Sequence, residues 1–308
     1  MSYFMSLNPL SLFRAMPGSI AQGMIWGVMA LGVYITFRLL DFADLTVDGS
    51  IATGAAVSVM LIRAGVSPLV TLPIAFLAGA LAGMVTGLLN GILASILTQI
   101  SLYSINLNIM GKANQPVSVD NYPLVVSLRY VTDGSVSRLL FFLGMIVFLL
   151  ALIAVMYWYF GTEQGHAIRA TGCNSNMARA QGINTNFIKV LALMISNGLV
   201  GLCGALYGQF QGASDVNMGR GAIVIGLAAV IIGEVLFGKF ASKRKLAFAF
   251  TLASVILGAV IYYMVYQFVL WLKMPSEDMK LFSAIVVAIF LAIPYLKEKR
   301  TLRKGASK

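Results

Sequence analysis

Gly161-Thr162-Glu163-Gln164-Gly165-His166-Ala167-Ile168-Arg169-Ala170-Thr171-Gly172-Cys173-Asn174-Ser175-Asn176-Met177-Ala178-Arg179-Ala180-Gln181-Gly182-Ile183 is about the longest water-compatible run in a chain that otherwise reads as one apolar segment after another. Two arginines, four glycines and a short Ala-rich piece from Asn176 to Ala180 predict turn, short helix, turn. Hydrocarbon offers no water to backbone N–H and C=O groups, so irregular chain of this kind belongs outside it. A polar loop between long apolar runs implies an all-α, polytopic membrane helix bundle.

Composition supports that reading. The 308 residues are 59% apolar and 11% charged, with a mean hydropathy of +0.88, which excludes an ordinary soluble domain. A span needs roughly 20 residues to cross about 30 Å of hydrocarbon, and this chain has room for about eight to nine. One membrane domain over residues 1–308 is expected, with 161–186 as a cytoplasmic loop. The net charge of +11 comes from Lys and Arg gathered at helix ends and in the tail. That placement fits membrane orientation and anionic lipid, not a nucleic-acid-binding face. Cys173 falls in the polar loop and Cys203 in an apolar span, so a disulfide is not expected. Residues 1–18 lack a signal-peptide cleavage pattern, and the first long apolar run is expected to be retained as a span.

Working outward, Met1 to Met16 is expected to lie at the interface, Pro17-Gly18 to punctuate, and Ile20 to Phe37 to form the first span. Asp41, Asp44 and Asp48 precede or open a second span, Leu45 to Ile62. Pro68 to Leu89 is the third, with glycine at 79, 83, 87 and 91. That spacing gives one helix face a flat stripe for close packing. Ile92 to Met110 is less apolar and carries Gln99, Asn106 and Asn108, just after Asn90. Lys112 to Arg138 reads as a mixed loop, and Leu139 to Phe160 as a strongly apolar span with aromatic anchors at its end. After the polar loop come Phe187 to Gln209, a polar connector from Phe210 to Arg220, and spans at Gly221–Gly238, Leu246–Leu272 and Leu281–Tyr295.

With the polar loop in the cytoplasm, nine crossings place Arg38, Arg169, Arg179, Lys189, Lys239, Lys243, Arg244, Lys245 and the basic tail inside. Arg14, Arg63, Lys112, Arg129, Arg138, Arg220 and Lys273 fall outside, which agrees with the positive-inside rule. Nine crossings put the N-terminus outside; a re-entrant second or fourth segment would give eight and an inside N-terminus.

Sites for chemistry are sparse. Gly233 to Phe240 nearly matches a nucleotide P-loop, but Phe240 stands where a magnesium-binding hydroxyl is needed and no strand precedes it. The single histidine, His166, has no partners for a zinc site or a serine triad. Asp44 and Asp48 share one helix face, whereas a catalytic pair usually comes from two segments. No catalytic or metal site is expected. Asp48 and Glu234 are costly at membrane depth, so each either lines a water-filled path or reaches water from a helix end. Asn90, Asn106, Asn108 and Gln209 are similarly placed amides suited to interhelical hydrogen bonds.

The pattern Gly165-His166-Ala167-Ile168-Arg169-Ala170, then Gly172, Asn174, and Met177-Ala178-Arg179-Ala180 before Gly182-Ile183, resembles the cytoplasmic coupling loop of ABC importer permeases. More narrowly, it resembles the branched-chain amino acid and ribose permease superfamily. Asp44-Leu45-Thr46-Val47-Asp48-Gly49-Ser50 is similar to a run at the second span of sugar permeases in that superfamily, with Asp48 as an insertion. Phe42 to Ser50, Leu102 to Lys112 and Gly221 to Glu234 resemble the tryptophan/tyrosine-type branch. The resemblance covers roughly residues 20 to 296.

It implies a bacterial inner-membrane permease for a small solute, an amino acid or related compound, with no cofactor and no ATPase site on this chain. ATP and Mg would sit on two cytoplasmic ABC ATPase subunits. Further implied partners are an extracytoplasmic solute-binding protein, membrane lipid and a second permease copy, as a homodimer or a pair with a close homologue. On this reading Arg169, Asn174, Ala178, Arg179 and Gly182 serve ATPase coupling. Ala178 and Ala180 would permit insertion into a groove, and the arginines would supply charged contacts. Asp44, Asp48, Asn90, Asn106, Asn108, Gln209 and Glu234 would line the path or the permease–permease seam, with Gly79, Gly83, Gly87 and Gly91 for helix packing. The alternative is a stand-alone secondary transporter coupled to protons through Asp48 or Glu234.

Overall fold

At membrane depth every backbone polar group must be paired within the protein, and this chain pairs them in helices. The computed structural model describes residues 9–89, 91–132, 134–241 and 246–272, with single positions 281, 285, 288 and 292 beyond them. Its helices are α1 (Pro9–Tyr34), continued by a π-helical turn at Ile35–Leu39, α2 (Val47–Arg63), α3 (Pro68–Leu89), α4 (Ile92–Met110), α5 (Leu128–Thr132), α6 (Ser135–Tyr159), α7 (Glu163–Cys173), α8 (Ser175–Ala180), α9 (Thr185–Gln211), α10 (Ala222–Ala241) and α11 (Ala247–Trp271). Among the described residues, six stretches are long and apolar enough to cross a membrane: Leu10–Leu39, Pro68–Leu89, Ile92–Met110, Ser135–Tyr159, Thr185–Gln211 and Ala247–Trp271. Ala222–Gly238 is a shorter apolar helix. The chain is an all-α, polytopic membrane bundle. Asn90, most of the last expected span and the basic tail lie outside the described residues.

The strands β1 (Asn114–Pro116) and β2 (Ala213–Asp215) pair antiparallel, with Gln115 opposite Ser214. They bring together the two stretches read as a mixed loop and a polar connector. Arg63, at the end of α2, donates to the Gln115 amide oxygen and ties that helix to the ribbon.

α9 is the axis. Its small residues let neighbours approach to backbone contact: a Cβ on Gly204 would overlap the Ile51 carbonyl, and one on Gly201 would lie 2.6 Å from the Ala75 carbonyl oxygen. α1 runs antiparallel to α9. Gln22 donates to the Tyr207 hydroxyl (3.3 Å), the Cys203 thiol to the Ile25 carbonyl (3.3 Å) and the Ser196 hydroxyl to the Gly32 carbonyl (2.8 Å). With 161–183 in the cytoplasm, α9 runs outward and α1 enters from outside.

Two expectations need correction. Pro17 does not punctuate: α1 runs straight through it. The proline falls where the helix leaves the bundle, with Leu10 and Phe13 exposed, and helices in membranes tolerate it when neighbouring groups take up the freed carbonyl. The second expected span, Leu45 to Ile62, is one continuous helix, α2, but it falls short of a full crossing. After the π-turn the chain reverses through Asp41, whose φ of 54° is left-handed, and returns through an irregular stretch and a turn at 45–46 before α2 begins. α2 has 17 residues, about 25 Å of helix, against roughly 30 Å of hydrocarbon. α10 likewise starts partway across, because Gly226 abuts Met29 and Val33 in the inner half of α1.

Candidate functional site

The irregular chain before α2 carries Asp44 to the middle of α9. Its Oδ2 accepts from Asn197 Nδ2 (2.6 Å), and its Oδ1 accepts from the Thr46 backbone N–H (2.9 Å). Asn197 Oδ1 accepts from the Ser50 hydroxyl (2.6 Å), and the Thr46 and Thr86 hydroxyls pair at 2.7 Å. Asp44 is 2% exposed and Asn197 fully buried. A buried carboxylate with partners on both oxygens fixes the α2–α3–α9 junction, since breaking such a network leaves an unpaired charge. Asn197, Ser50 and Thr86 were not singled out from the sequence; an amide midway along a long apolar run was the available signal.

Asp48, in the first turn of α2, faces the start of α10. Its Oδ2 accepts from the Gly221 N–H (2.9 Å) and its Oδ1 from the Ile223 N–H (3.0 Å). The carboxylate thus caps the N-terminus of a helix from which it is separated by 173 positions in sequence. Unpaired first-turn N–H groups and the positive end of the helix dipole both favour an anion there. Two helix starts therefore meet partway across the bundle, joined by one side chain.

Beside this junction lies a cavity of about 260 Å³, bounded by α2, α4 and the 216–220 turn. Asn106 lines it, as do Gln99, Tyr103 and Arg220, while Asn108 is exposed elsewhere on α4. Asn106 is 0% exposed, and neither amide atom has a hydrogen-bond partner. Each such unmade bond costs about 1–3 kcal/mol. Gln209 contrasts with it: its Oε1 accepts from the Val125 N–H (3.1 Å), and its Nε2 lies 3.3 Å from the Ser58 hydroxyl.

Glu234 sits toward the cytoplasmic end of the bundle, away from the cavity, in a two-pronged ion pair with Arg38 (2.8 and 2.7 Å). The Arg38 side chain is 54% exposed, so the pair contributes about 0–1 kcal/mol. Gly233 to Phe240 lies within α10, with none of the strand–loop–helix geometry of a nucleotide loop.

The glycine stripe meets α9 at three of its four positions. A Cβ on Gly79 would overlap the Asn197 carbonyl, one on Gly83 the Leu193 carbonyl, and one on Gly87 would stand 2.8 Å from Val190 Cα. Gly91 departs from the stripe, because α3 ends at Leu89 and Gly91 precedes α4 with open space around it.

The polar loop forms two helices instead of one. Asn174 separates them, its Oδ1 accepting from the Asn176 and Met177 N–H groups (3.1 and 3.0 Å) as the cap of α8. Gly182 closes the segment at φ 85°. α7 is seated on the bundle: a Cβ on Gly172 would overlap the Leu39 carbonyl. Arg169 does not project outward. Its guanidinium carbon lies 4.2 Å from the Phe248 ring centre and 5.7 Å from that of Phe160, a cation–π seat that holds α7 against α11. Ala178 also turns inward, 4% exposed, which leaves Asn176, Met177, Ala180 and Gln181 as the outward face of α8. Arg179 lies beside them, with its NH2 bonded to the Thr185 hydroxyl (3.1 Å).

A family profile described as the permease component of the branched-chain amino acid transport system matches residues 16–294. The tyrosine transport system permease protein of Clostridioides difficile (strain R20291) is 40% identical over 279 residues, 89% of each chain. An uncharacterized protein of Rickettsia prowazekii (strain Madrid E) is 31% identical over 284 residues, 89% of this chain and 95% of that one. A nucleoside ABC transporter permease of Lactococcus lactis subsp. cremoris (strain MG1363) is 33% identical over 108 residues, about a third of each chain. No solved structure matches significantly.

Proposed function

Because this chain belongs to the branched-chain amino acid transport permease family, we propose that it is the membrane subunit of an ABC importer whose cargo is an amino acid. The amino-acid assignment follows from the tyrosine permease relative, which matches along nearly the whole chain, whereas the nucleoside relative matches only a third. The chain acts by conformational change, not by chemistry of its own. ATP and Mg belong to cytoplasmic ATPase subunits, a solute-binding protein feeds the outer mouth, and a second copy of the chain completes the path.

The observation that carries this reading is the α7–α8 segment. A short capped helix stands at the cytoplasmic end with an apolar and amide face turned outward, while its base is fixed to the bundle by Gly172 and Arg169. A force applied to such a face is delivered to the π-turn of α1 and to α11 instead of being lost in a loose loop. Proton coupling fits less well, since the Asp48 carboxylate is committed to two backbone amides and Glu234 to Arg38.

Co-purification of the tagged full-length chain with its cognate ATPase in lipid nanodiscs tests the proposal. Stable association, and ATP hydrolysis accelerated by the loaded binding protein, is the expected result. A chain that associates with no ABC ATPase contradicts it.

A further inference from the structure

The cavity beside Asp48 holds an amide whose hydrogen bonds nothing in the protein makes. Asn197, Gln209 and Gln115, the other buried amides among the described residues, are all bonded, so an orphaned amide is not simply what this interior tolerates. Asn106 is as deeply buried as they are and differs in lining open volume. A buried amide with every partner missing is the costly side of hydrogen bonding, and it is kept where something else supplies the bonds.

The surroundings define what that is. Asn106 offers both an acceptor and donors within one planar group. Arg220 puts a cation on the same wall, and Asp48 an anion whose two oxygens each retain accepting capacity beyond the α10 amides. Tyr103, 44% exposed, stands at the rim with its ring available to an apolar or aromatic group. A lining with a cation, an anion and a bridging amide matches a solute carrying an ammonium and a carboxylate on one carbon atom. The volume of about 260 Å³ is just below the roughly 300–1,000 Å³ of pockets for drug-sized ligands, which suits one small zwitterion.

Resting on the importer reading above, we infer that this cavity is a transit station for the α-amino and α-carboxyl groups of an amino acid. Asn106 bridges the two groups, Arg220 pairs with the carboxylate and Asp48 with the ammonium. Because Asp48 also caps α10, the occupant touches the side chain that joins two helix starts. Occupancy is therefore coupled to the seating of α10.

The test is equilibrium binding of radiolabelled L-tyrosine, up to millimolar concentration, to the full-length chain in nanodiscs. N-acetyl-L-tyrosine and L-tyrosine methyl ester serve as competitors, each lacking one charged group. Displaceable binding is expected, with neither blocked analogue competing. Asn106→Ala is expected to weaken binding at least tenfold while the melting temperature holds or rises, since an unpartnered amide has been removed. Should that variant fold poorly, Arg220→Gln on the exposed end of the same wall gives the same loss without touching the interior. No displaceable binding to the unmodified chain, unchanged binding in the variants, or equal competition by a blocked analogue overturns the inference. The ATPase co-purification stands apart: success there with failure here removes the station and leaves the importer.

Discussion

Replacing Asp48 with alanine removes the side chain that, among the described residues, satisfies the first amides of α10. The Gly221 and Ile223 N–H groups lose acceptors at 2.9 and 3.0 Å. Loss of an N-cap to alanine costs about 0.5–2 kcal/mol, and each bond to a charged group contributes about 1.5–3 kcal/mol net. Two bonds made by one partly exposed carboxylate therefore place the local cost at about 2–4 kcal/mol, below the simple sum because the two share one cap and one of them meets water. Local opening governs amide exchange, so protection at these amides should fall by roughly thirtyfold or more, at 1.4 kcal/mol per tenfold. Asp48→Asn keeps one carbonyl oxygen and should lose about half as much free energy. Hydrogen–deuterium exchange in nanodiscs reads the effect on peptides covering 219–225, with α9 peptides as an internal reference. Equal exchange at 219–225 in all three proteins would refute the capping of α10 from α2.

Other consequences follow from the same geometry. Gly83→Leu forces a side chain into the Leu193 carbonyl, and overpacking of this kind should lower stability by about 3 kcal/mol or more. Gly144→Leu on α6, where a Cβ meets open space, should melt as the unmodified chain does; a matching loss in both would show the effect is not contact-specific. Ala180→Trp, on the outward face of α8, should keep the melting temperature and abolish ATPase association. Ala178→Trp, facing inward, should lower the melting temperature itself, and the reverse pattern would contradict the orientation of α8. Arg38→Gln should change stability by no more than about 1 kcal/mol, since its partner is met at an exposed surface.

Much of the bundle was legible because hydrocarbon imposes one requirement that composition reveals directly: a long apolar run with internally paired backbone. The runs at 68–89, 92–110 and 185–211 emerge as helices close to where hydropathy puts them. Pro17 misleads because its force as a breaker is calibrated on helices in water. Hydropathy also cannot register the depth at which a helix begins, as for α2 and α10, since it reports length and composition but not where the neighbouring helices stand. The stripe at 79, 83 and 87 was visible from its spacing, but its end at Leu89 depends on where the chain turns, and so Gly91 falls outside it.

Tertiary pairings account for the rest. Asp44 and Asn197, Asp48 and Gly221, Arg38 and Glu234 are each more than 150 positions apart. Nothing local marks them as partners. Arg169 reads as a free cation in a polar loop, whereas Phe248 from α11 closes over it. The cavity at Asn106 is equally nonlocal, since α2 and the 216–220 turn complete its lining.

The central claim is that outside force, delivered by a partner ATPase, drives this bundle. Proteoliposomes containing the full-length chain, its cognate ATPase and the loaded binding protein test it by uptake of radiolabelled L-tyrosine. Uptake that requires ATP and the ATPase, and that a proton gradient alone cannot drive, is the predicted result. Equal uptake by the chain alone under a proton gradient would contradict the account.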